Sequence, residues 1–153
     1  MKISGEISVR APQVSVFEAI EDARFFASCV DGVQELKEID AENYAAVLET
    51  RVAYIKFRFN IAIAITRKVS PTEIEAKVEG TPIGIVGRVT ATSKTRLTQD
   101  GDHTKIAYEI DAALTGRLGS LGQPVLRAKA KEMEKQFTAR LSARFAGRNG
   151  GNA

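Results

Sequence analysis

The side chains best suited to chemistry are one histidine and one cysteine, His103 and Cys29. His103 follows Asp100-Gly101-Asp102, a pattern typical of a hairpin turn, so we expect it at the surface rather than in a catalytic cleft. Cys29 follows an apolar segment and is predicted to be a small buried side chain rather than a nucleophile. A lone cysteine also excludes an internal disulfide and a cysteine-based metal cage.

Two further patterns bear on metal and phosphate binding. The polar side chains of Asp100–His103 could ligate a metal, but they are adjacent in a tight turn whose own backbone they satisfy better. Gly80, Gly84 and Gly87 do not form a phosphate-binding loop, because neither a lysine followed by serine or threonine nor a helix start comes after them. We recognise no pair of nucleophile and base, so we predict no catalytic residue, no metal and no cofactor.

The charge balance points to no polyanionic partner. The chain has 22 basic and 19 acidic residues among 153, a formal net charge of +3 at pH 7. No aromatic residues interleave with the basic ones, so we expect no nucleic-acid binding. No apolar run reaches the roughly 18 residues of a membrane span, and the first residues lack the apolar core of a signal peptide. We therefore expect a cytoplasmic protein.

The element that must position any site is an amphipathic helix near the C-terminal end. Its apolar positions recur at steps of three or four: Leu126, Ala130, Met133, Phe137, Leu141 and Phe145. This spacing predicts a helix from Gln123 to Ala146, about 36 Å long at 1.5 Å per residue. Gly147 is expected to end it, with residues 148–153 as a disordered tail. Basic residues between the apolar ones are expected to face water.

The start of this helix allows two interpretations. Gly116, Gly119 and Gly122 recur at steps of three. In the first interpretation the glycines lie in a loop and the helix begins near Gln123. In the second, Leu118–Gly122 form a helical turn, and its face without side chains leaves room for a neighbouring molecule. The second interpretation makes Gly119 and Gly122 candidate ligand-binding residues.

Most of the remaining chain shows the alternation of β-strands. Lys2–Arg10 form the first strand, and two short helices follow, the second capped by Asp22. Six further strands are predicted between Val33 and Leu114, one of them running from Ile83 to Leu97. The clearest strand places five large apolar residues on one side: Phe57, Phe59, Ile61, Ile63 and Ile65.

These elements together predict an α+β fold. Strands joined by short turns pair antiparallel, so we expect one curved sheet of about seven strands with an apolar face. That face needs a cover, and the C-terminal helix is the only element long enough to provide it. No repeat or linker divides the chain, so the expected unit is a single domain over residues 1–147.

Several segments give the chain a family resemblance. They are Met1–Glu6, Ala11-Pro12, Cys29–Val33, Tyr108–Ala112 and Gly116–Gln123. The element order resembles the helix-grip fold of the START-like (SRPBCC) superfamily, and the chain resembles more closely the G-subunit family of carbon monoxide dehydrogenase. Where that family usually has a proline, this chain has Asp31. Some relatives carry an extra hydrophobic tail, and we expect no membrane anchoring of that kind here.

The inward-facing apolar residues are the candidate ligand site. From the residues alone, the filling of an ordinary core is the better interpretation. The resemblance implies instead a cavity between sheet and helix for an apolar molecule, lipid-like or quinone-like. The candidate ligand-binding residues are Phe57, Phe59, Ile61, Ile63, Ile85, Tyr108, Ile110, Gly119, Gly122 and Leu126.

Three functions compete. The resemblance implies a non-enzymatic accessory protein that assists maturation or membrane recruitment of a molybdenum hydroxylase, in the cytoplasm or at the inner face of the membrane. The second is a cyclase or hydrolase with the same pocket, which a buried carboxylate with a strongly shifted pKa would favour. The third is an adaptor whose basic helix face binds anionic lipid or an acidic protein. The oligomeric state stays open.

Overall fold

The computed structural model describes the backbone of residues 1–151 and the side chains of residues 1–146. Over these residues the chain forms seven strands and four helices. The strands are β1 (Lys2–Val9), β2 (Val33–Glu38), β3 (Asn43–Val52), β4 (Ile55–Val69), β5 (Glu73–Pro82), β6 (Gly87–Asp100) and β7 (His103–Thr115). The helices are α1 (Gln13–Glu21), α2 (Ala23–Ser28), α3 (Gly116–Gly119) and α4 (Gln123–Gly151).

The strands form one antiparallel sheet in the order β1-β7-β6-β5-β4-β3-β2. From β2 to β7 the chain is a meander, and β1 closes the sheet by pairing with β7. Helix α4 lies across the inner face of this sheet, where it contacts β1 and β3. The predicted α+β helix-grip architecture is therefore confirmed, including the two short helices after the first strand.

Local chemistry explains the short helices. Pro12, with φ −64°, precedes α1, and its fixed φ suits the entry to a helix. Asp22 caps α2, because its carboxylate accepts hydrogen bonds from the amides of Arg24 at 3.0 Å and Phe25 at 3.2 Å. Such a cap stabilises a helix by about 1 kcal/mol. The cap predicted at Asp22 is confirmed.

Two predicted boundaries are wrong. The strand expected from Ile83 begins only at Gly87, because Gly84 has a φ of +84° and turns the chain into a loop over residues 83–86. Helix α4 does not end at Gly147 but continues to Gly151, since one glycine costs a helix only about 1 kcal/mol. The predicted disordered tail thus overlaps α4, and its residues 152 and 153 lie outside the described residues.

The sheet has two ends, which the turns define. The turns β2–β3, β4–β5 and β6–β7 lie at the end where α1 packs, which we call the α1 end. The turns β3–β4 and β5–β6 lie at the opposite end beside α3, which we call the α3 end. Because α4 runs from the α3 end towards the α1 end, its apolar stripe covers the length of the inner face.

Two groups of buried apolar side chains hold α4 on the sheet. The α1 cluster lies at the α1 end and contains Ile7, Val9, Ala11, Val16, Phe17, Ala19, Ile20, Leu97, Ile106, Leu141 and Phe145. The α3 cluster lies at the α3 end and contains Val52, Phe57, Phe59 and Leu118, against which Leu121, Val125 and Leu126 pack. Each fully buried large side chain contributes about 1.5–3 kcal/mol, and α4 supplies two of them, Leu141 and Phe145, to the α1 cluster. At the α3 cluster, α4 packs through the partly buried Val125 and Leu126.

Candidate functional site

Between the two clusters the inner face of the sheet is only partly covered. Two rows of paired residues cross it side by side, and we call them the middle section. One row is Ile63, Val78, Ala91 and Ala112, and the other is Ile65, Ala76, Ser93, Ile110 and Ile3. All of them are half-buried except Ala76, which is buried. On β5, β6 and β7 most of these side chains are short: Ala76, Ala91, Ser93 and Ala112.

The residues of α4 opposite the middle section are also only partly buried. Ala130 and Met133 of α4 are half-buried, and they lie between Leu126 at the α3 cluster and Phe137 at the α1 cluster. Interiors are normally packed as closely as organic crystals, and residues that face a packed helix are then fully buried. A half-buried strip between two closed clusters is the arrangement expected of a site that opens to a ligand.

One polar pair borders the middle section. The Tyr108 hydroxyl of β7 donates a hydrogen bond to Glu134 Oε2 of α4. Burial, followed by the hydrogen bond to the Glu134 carboxylate, raises the pKa of the Tyr108 phenol. Gly5 of β1 lies opposite Tyr108, and a Cβ there would come within 2.5 Å of both the carboxylate and the phenol oxygen. Gly5 therefore makes the room that this pair occupies.

The predicted ligand residues fall into different environments. Phe57 and Phe59 are 1% and 4% exposed and belong to the α3 cluster, where their rings stack at 5.7 Å between centroids. They support one end of the middle section instead of facing it. Ile61 and Leu126 are half-buried at the edge of the same cluster, next to the middle section.

The other residues predicted to bind a ligand also lie in two different environments. Ile63, Tyr108 and Ile110 lie in or beside the middle section and are half-buried. Ile85 lies in the loop between β5 and β6 and is exposed, so it is not on the inner face. Its predicted inward orientation assumed a strand that does not include residue 85.

Gly119 and Gly122 do not share a helical face. Gly119 ends α3, where a Cβ would come within 2.5 Å of the Leu114 carbonyl oxygen. Gly122 lies between α3 and α4 with φ +87°, a left-handed conformation that favours glycine. Neither interpretation is fully correct. Residues Gly116–Gly119 form the short helix α3, which the loop interpretation did not predict, whereas Gly122 lies outside the helices and α4 begins at Gln123, as the loop interpretation predicts. Glycine is therefore favoured at position 119 by the close approach of the Leu114 carbonyl and at position 122 by the positive φ.

The chemistry-bearing residues lie apart from the middle section. His103 is at the surface, where its Nδ1 lies 2.7 Å from Asp102 Oδ1, as the turn pattern predicts. Cys29 is buried, and its burial raises the pKa of the thiol. Among the described residues, no three histidine, cysteine, aspartate or glutamate side chains could share a metal ion.

The carboxylates with shifted pKa values are all on the surface. The pKa values of Asp40, Glu49, Glu73 and Asp102 are lowered, in each case mainly by a hydrogen bond that a neighbouring group donates. A buried carboxylate with a strongly shifted pKa would favour the interpretation of the protein as a cyclase or hydrolase. None of these four carboxylates meets that requirement.

Several basic side chains of α4 contact the domain itself. Arg127 Nη1 donates to the Lys2 carbonyl oxygen at 2.9 Å, and the Arg144 guanidinium lies 4.3 Å from the Phe25 ring centroid. Arg140 forms an ion pair with Asp31 at 3.2 Å. Asp31 lies in the connection between α2 and β2, so this ion pair ties that connection to α4. The basic face is therefore partly used for packing, which weakens the adaptor interpretation.

The outer face of the sheet carries two shallow depressions of about 330 and 710 Å³. The larger is lined by charged residues, among them Glu73, which forms ion pairs with Arg67 and Arg96. Such a lining does not suit an apolar ligand, because the charged groups would lose their water. The middle section on the inner face remains the better site.

The α3 end carries an exposed apolar surface. Tyr54, in the β3–β4 turn, is 98% exposed, and Val86, in the β5–β6 loop, is 87% exposed. Ile83 and Ile85 of the same loop are also exposed. We call these four residues the apolar tip. Exposed large apolar side chains that lie together on a monomer commonly mark a contact surface.

Two features of the site were missed in the sequence. Glu134 follows Ala130 by four residues and precedes Phe137 by three, so helix spacing alone places it on the inward face. The short side chains Ala76, Ala91, Ser93 and Ala112 occupy inward positions of alternating strands, but they carry little hydrophobic signal. Whether they lie side by side depends on the pairing register of β5, β6 and β7, which apolar spacing does not give.

Comparisons with known proteins agree with this architecture. A family model described as the carbon monoxide dehydrogenase G-subunit (CoxG) matches residues 5–146. None of the curated proteins compared with the chain matches it. Among the helices in the described part of the chain, none is long and apolar enough to cross a bilayer.

Solved structures share the fold. A conserved protein from Geobacillus kaustophilus is 23% identical with a TM-score of 0.88, and the match covers 95% of each chain. A START superfamily protein from Mycobacterium smegmatis is 10% identical with a TM-score of 0.68, over 94% of this chain and 95% of that one. The Zhui aromatase/cyclase from Streptomyces sp. R1128 is 15% identical with a TM-score of 0.69, over 97% and 94%. The fold is therefore START-like.

Proposed function

The chain belongs to the CoxG family, the G-subunit family of carbon monoxide dehydrogenase, and from this premise we propose that it is a non-enzymatic accessory protein that binds an apolar small molecule. The ligand, lipid-like or quinone-like, occupies the space between the middle section and α4. In this role the protein assists the maturation or membrane recruitment of a molybdenum hydroxylase. The family match supports the accessory role, and the inner face of the sheet supports the ligand.

The single observation that supports the proposed ligand is the partial burial of the middle section. Its short side chains Ala91, Ser93 and Ala112 face α4 between two closed clusters. Because α4 packs against both clusters, moving the helix closer to the sheet between them would disturb those contacts. Apolar walls with one polar pair are typical of sites for lipid-like or aromatic molecules.

The test is native mass spectrometry of the protein purified from its own host under gentle conditions. We expect an extra apolar mass that organic solvent removes. Protein stripped in this way should bind the uncharged dye Nile red, with enhanced fluorescence. A chain that carries no extra mass, and that leaves Nile red fluorescence unchanged after stripping, would contradict the proposed ligand.

The apolar tip supports the membrane part of the proposal. Residues 49–58, 79–88 and 115–123 surround it and hold five basic residues against two acidic ones. Both acidic residues are already in ion pairs, Glu49 with Lys56 at 2.8 Å and Glu79 with Arg88 at 3.0 Å. Exposed apolar side chains surrounded by excess positive charge suit the surface of an anionic bilayer. In this arrangement the start of α4 faces the lipid.

A further inference from the structure

We propose that Glu134 and Tyr108 select the polar group of the ligand, so that the site takes neutral or cationic apolar molecules with an O–H or N–H donor and rejects anionic ones. This inference rests on the proposed ligand site, and it adds the chemical class of the ligand's head. It concerns two residues on different elements, β7 and α4, whose side chains meet at the border of the middle section.

The hydrogen-bonding capacity of the pair is one-sided. The Tyr108 hydroxyl donates its only hydrogen to Glu134 Oε2. An ionised carboxylate accepts hydrogen bonds and donates none, and it has several acceptor positions on its two oxygens. The pair therefore offers acceptors to a ligand but no donor. A ligand head that only accepts hydrogen bonds, such as an oxidised quinone, gains nothing there, so a quinone-like ligand would bind this pair through the O–H groups of its reduced quinol form.

The charge of Glu134 is not balanced locally. In the part of the chain that the structure describes, no lysine, arginine or histidine lies within ion-pair distance of Glu134. Lys129, five residues earlier, pairs with Glu132 at 3.3 Å, and Arg127 bonds to the backbone of Lys2. Lys131 and Lys135, which are nearer in sequence, are exposed to solvent. The other groups that face the middle section are hydrocarbons and the Ser93 hydroxyl, and Thr95 pairs with Tyr108 beside it; none of these carries a charge. An anionic head placed there meets a negative charge with weak screening, so it is repelled.

The pair is also held in place. Tyr108 packs against the α1 cluster, and Gly5 admits the two side chains against β1, where a Cβ would collide with both. A group fixed in this way discriminates better than a mobile one, because it cannot turn away from an unsuitable ligand. The selectivity thus depends on a position of β1 that carries no side chain.

The experiment compares three molecules that have the same twelve-carbon chain and differ in their polar head group. Dodecanol, dodecylamine and dodecanoate compete with bound Nile red at pH 7.5. Dodecanol is kept below its solubility limit, and the other two are kept below their critical micelle concentrations. We expect dodecanol and dodecylamine to displace the dye at concentrations at least about tenfold lower than dodecanoate. Glu134→Gln should reduce the preference for dodecanol over dodecanoate to about twofold or less, because the charge is gone while the shape is kept. Glu132→Gln, on the exposed side of α4, is the matched control and should keep the wild-type preference.

The outcomes separate the two proposals. Absence of Nile red binding contradicts the ligand site itself. Dye binding with equal displacement by dodecanol and dodecanoate in the wild-type protein overturns the head selectivity and leaves the site in place. Selectivity that survives in a folded Glu134→Gln, or that Glu132→Gln abolishes equally, also overturns it. The wild-type comparison needs no variant, so it decides the question even where a variant fails to fold.

Discussion

The α1 cluster and the middle section lie under the same helix and on the same sheet, yet one is closed and the other partly open. In the α1 cluster, large side chains such as Phe17, Leu97 and Leu141 meet from three elements, and each is fully buried. In the middle section, the inward positions of β5–β7 hold mainly alanine and serine. The difference lies in side-chain volume and not in backbone architecture. A helix-grip fold can thus be sealed or open through a few inward positions.

The largest expected effect compares matched truncations in the two regions. Leu141→Ala removes a fully buried side chain and should lower the free energy of unfolding by about 2–5 kcal/mol, because it leaves a cavity in a closed cluster. Met133→Ala, at the half-buried middle section, should cost less than about 1.5 kcal/mol. Urea denaturation measures both. Equal losses would mean that the middle section is packed like the core.

The second comparison concerns the link between α3 and α4. Gly122→Leu should lower the free energy of unfolding by about 1–2 kcal/mol, since φ +87° is unfavourable for a side chain. Gln123→Leu, one residue later and exposed, is the control and should change stability by less than about 0.5 kcal/mol. A higher melting temperature for Gly122→Leu would restore the helical-turn interpretation that the structure contradicts.

A third comparison sets the two ends of the sheet against each other. Replacing Tyr54 and Val86 of the apolar tip by serine should reduce binding to phosphatidylglycerol vesicles by about tenfold, because two exposed apolar groups no longer enter the bilayer. The control replaces Val14 and Ile39, which are exposed at the α1 end, and should leave binding unchanged. Vesicle co-sedimentation measures both. Equal losses in the two double variants would disprove docking through the apolar tip.

The smallest expected effect concerns the ion pair that links the α2–β2 connection to α4. Asp31→Ala removes the ion pair with Arg140, whose side chains are 68% and 42% exposed. Exposed pairs contribute about 0.2–1 kcal/mol and weaken with salt, so the loss of stability should stay in this range and shrink in about 1 M NaCl. Thermal melting at low and high salt checks it. A loss well above this range would show that Asp31 has a structural role beyond the pair.

The fold could be predicted because its signals are local and strong. The stripe from Leu126 to Phe145 fixes α4, and the alternation from Phe57 to Ile65 fixes β4 and its inward face. Antiparallel pairing then follows from the short turns. The start of β6 could not be predicted as easily, because Ile83 and Ile85 continue the alternation while Gly84 turns the backbone. Apolar spacing does not reveal the sign of φ.

The environment of the proposed ligand residues was harder to predict than the fold. Of these residues, Ile63, Tyr108 and Ile110 lie in or beside the middle section, whereas Phe57 and Phe59 belong to the buried α3 cluster. Inward-facing residues look alike in sequence whether they pack or line a space. The difference depends on what lies opposite them, and for β5–β7 these are alanine and serine residues set by register.

The most direct measurement uses two neighbouring residues of β7. Ala112 faces α4 from the middle section, and Ala113 faces outward from the same strand. If an apolar ligand occupies the space beneath α4, Ala112→Leu fills it and should weaken Nile red binding at least about tenfold, while the protein still unfolds cooperatively. Ala113→Leu adds the same volume to the outer face and should bind the dye like wild type. Equal binding by the two folded variants would contradict a ligand site between sheet and helix.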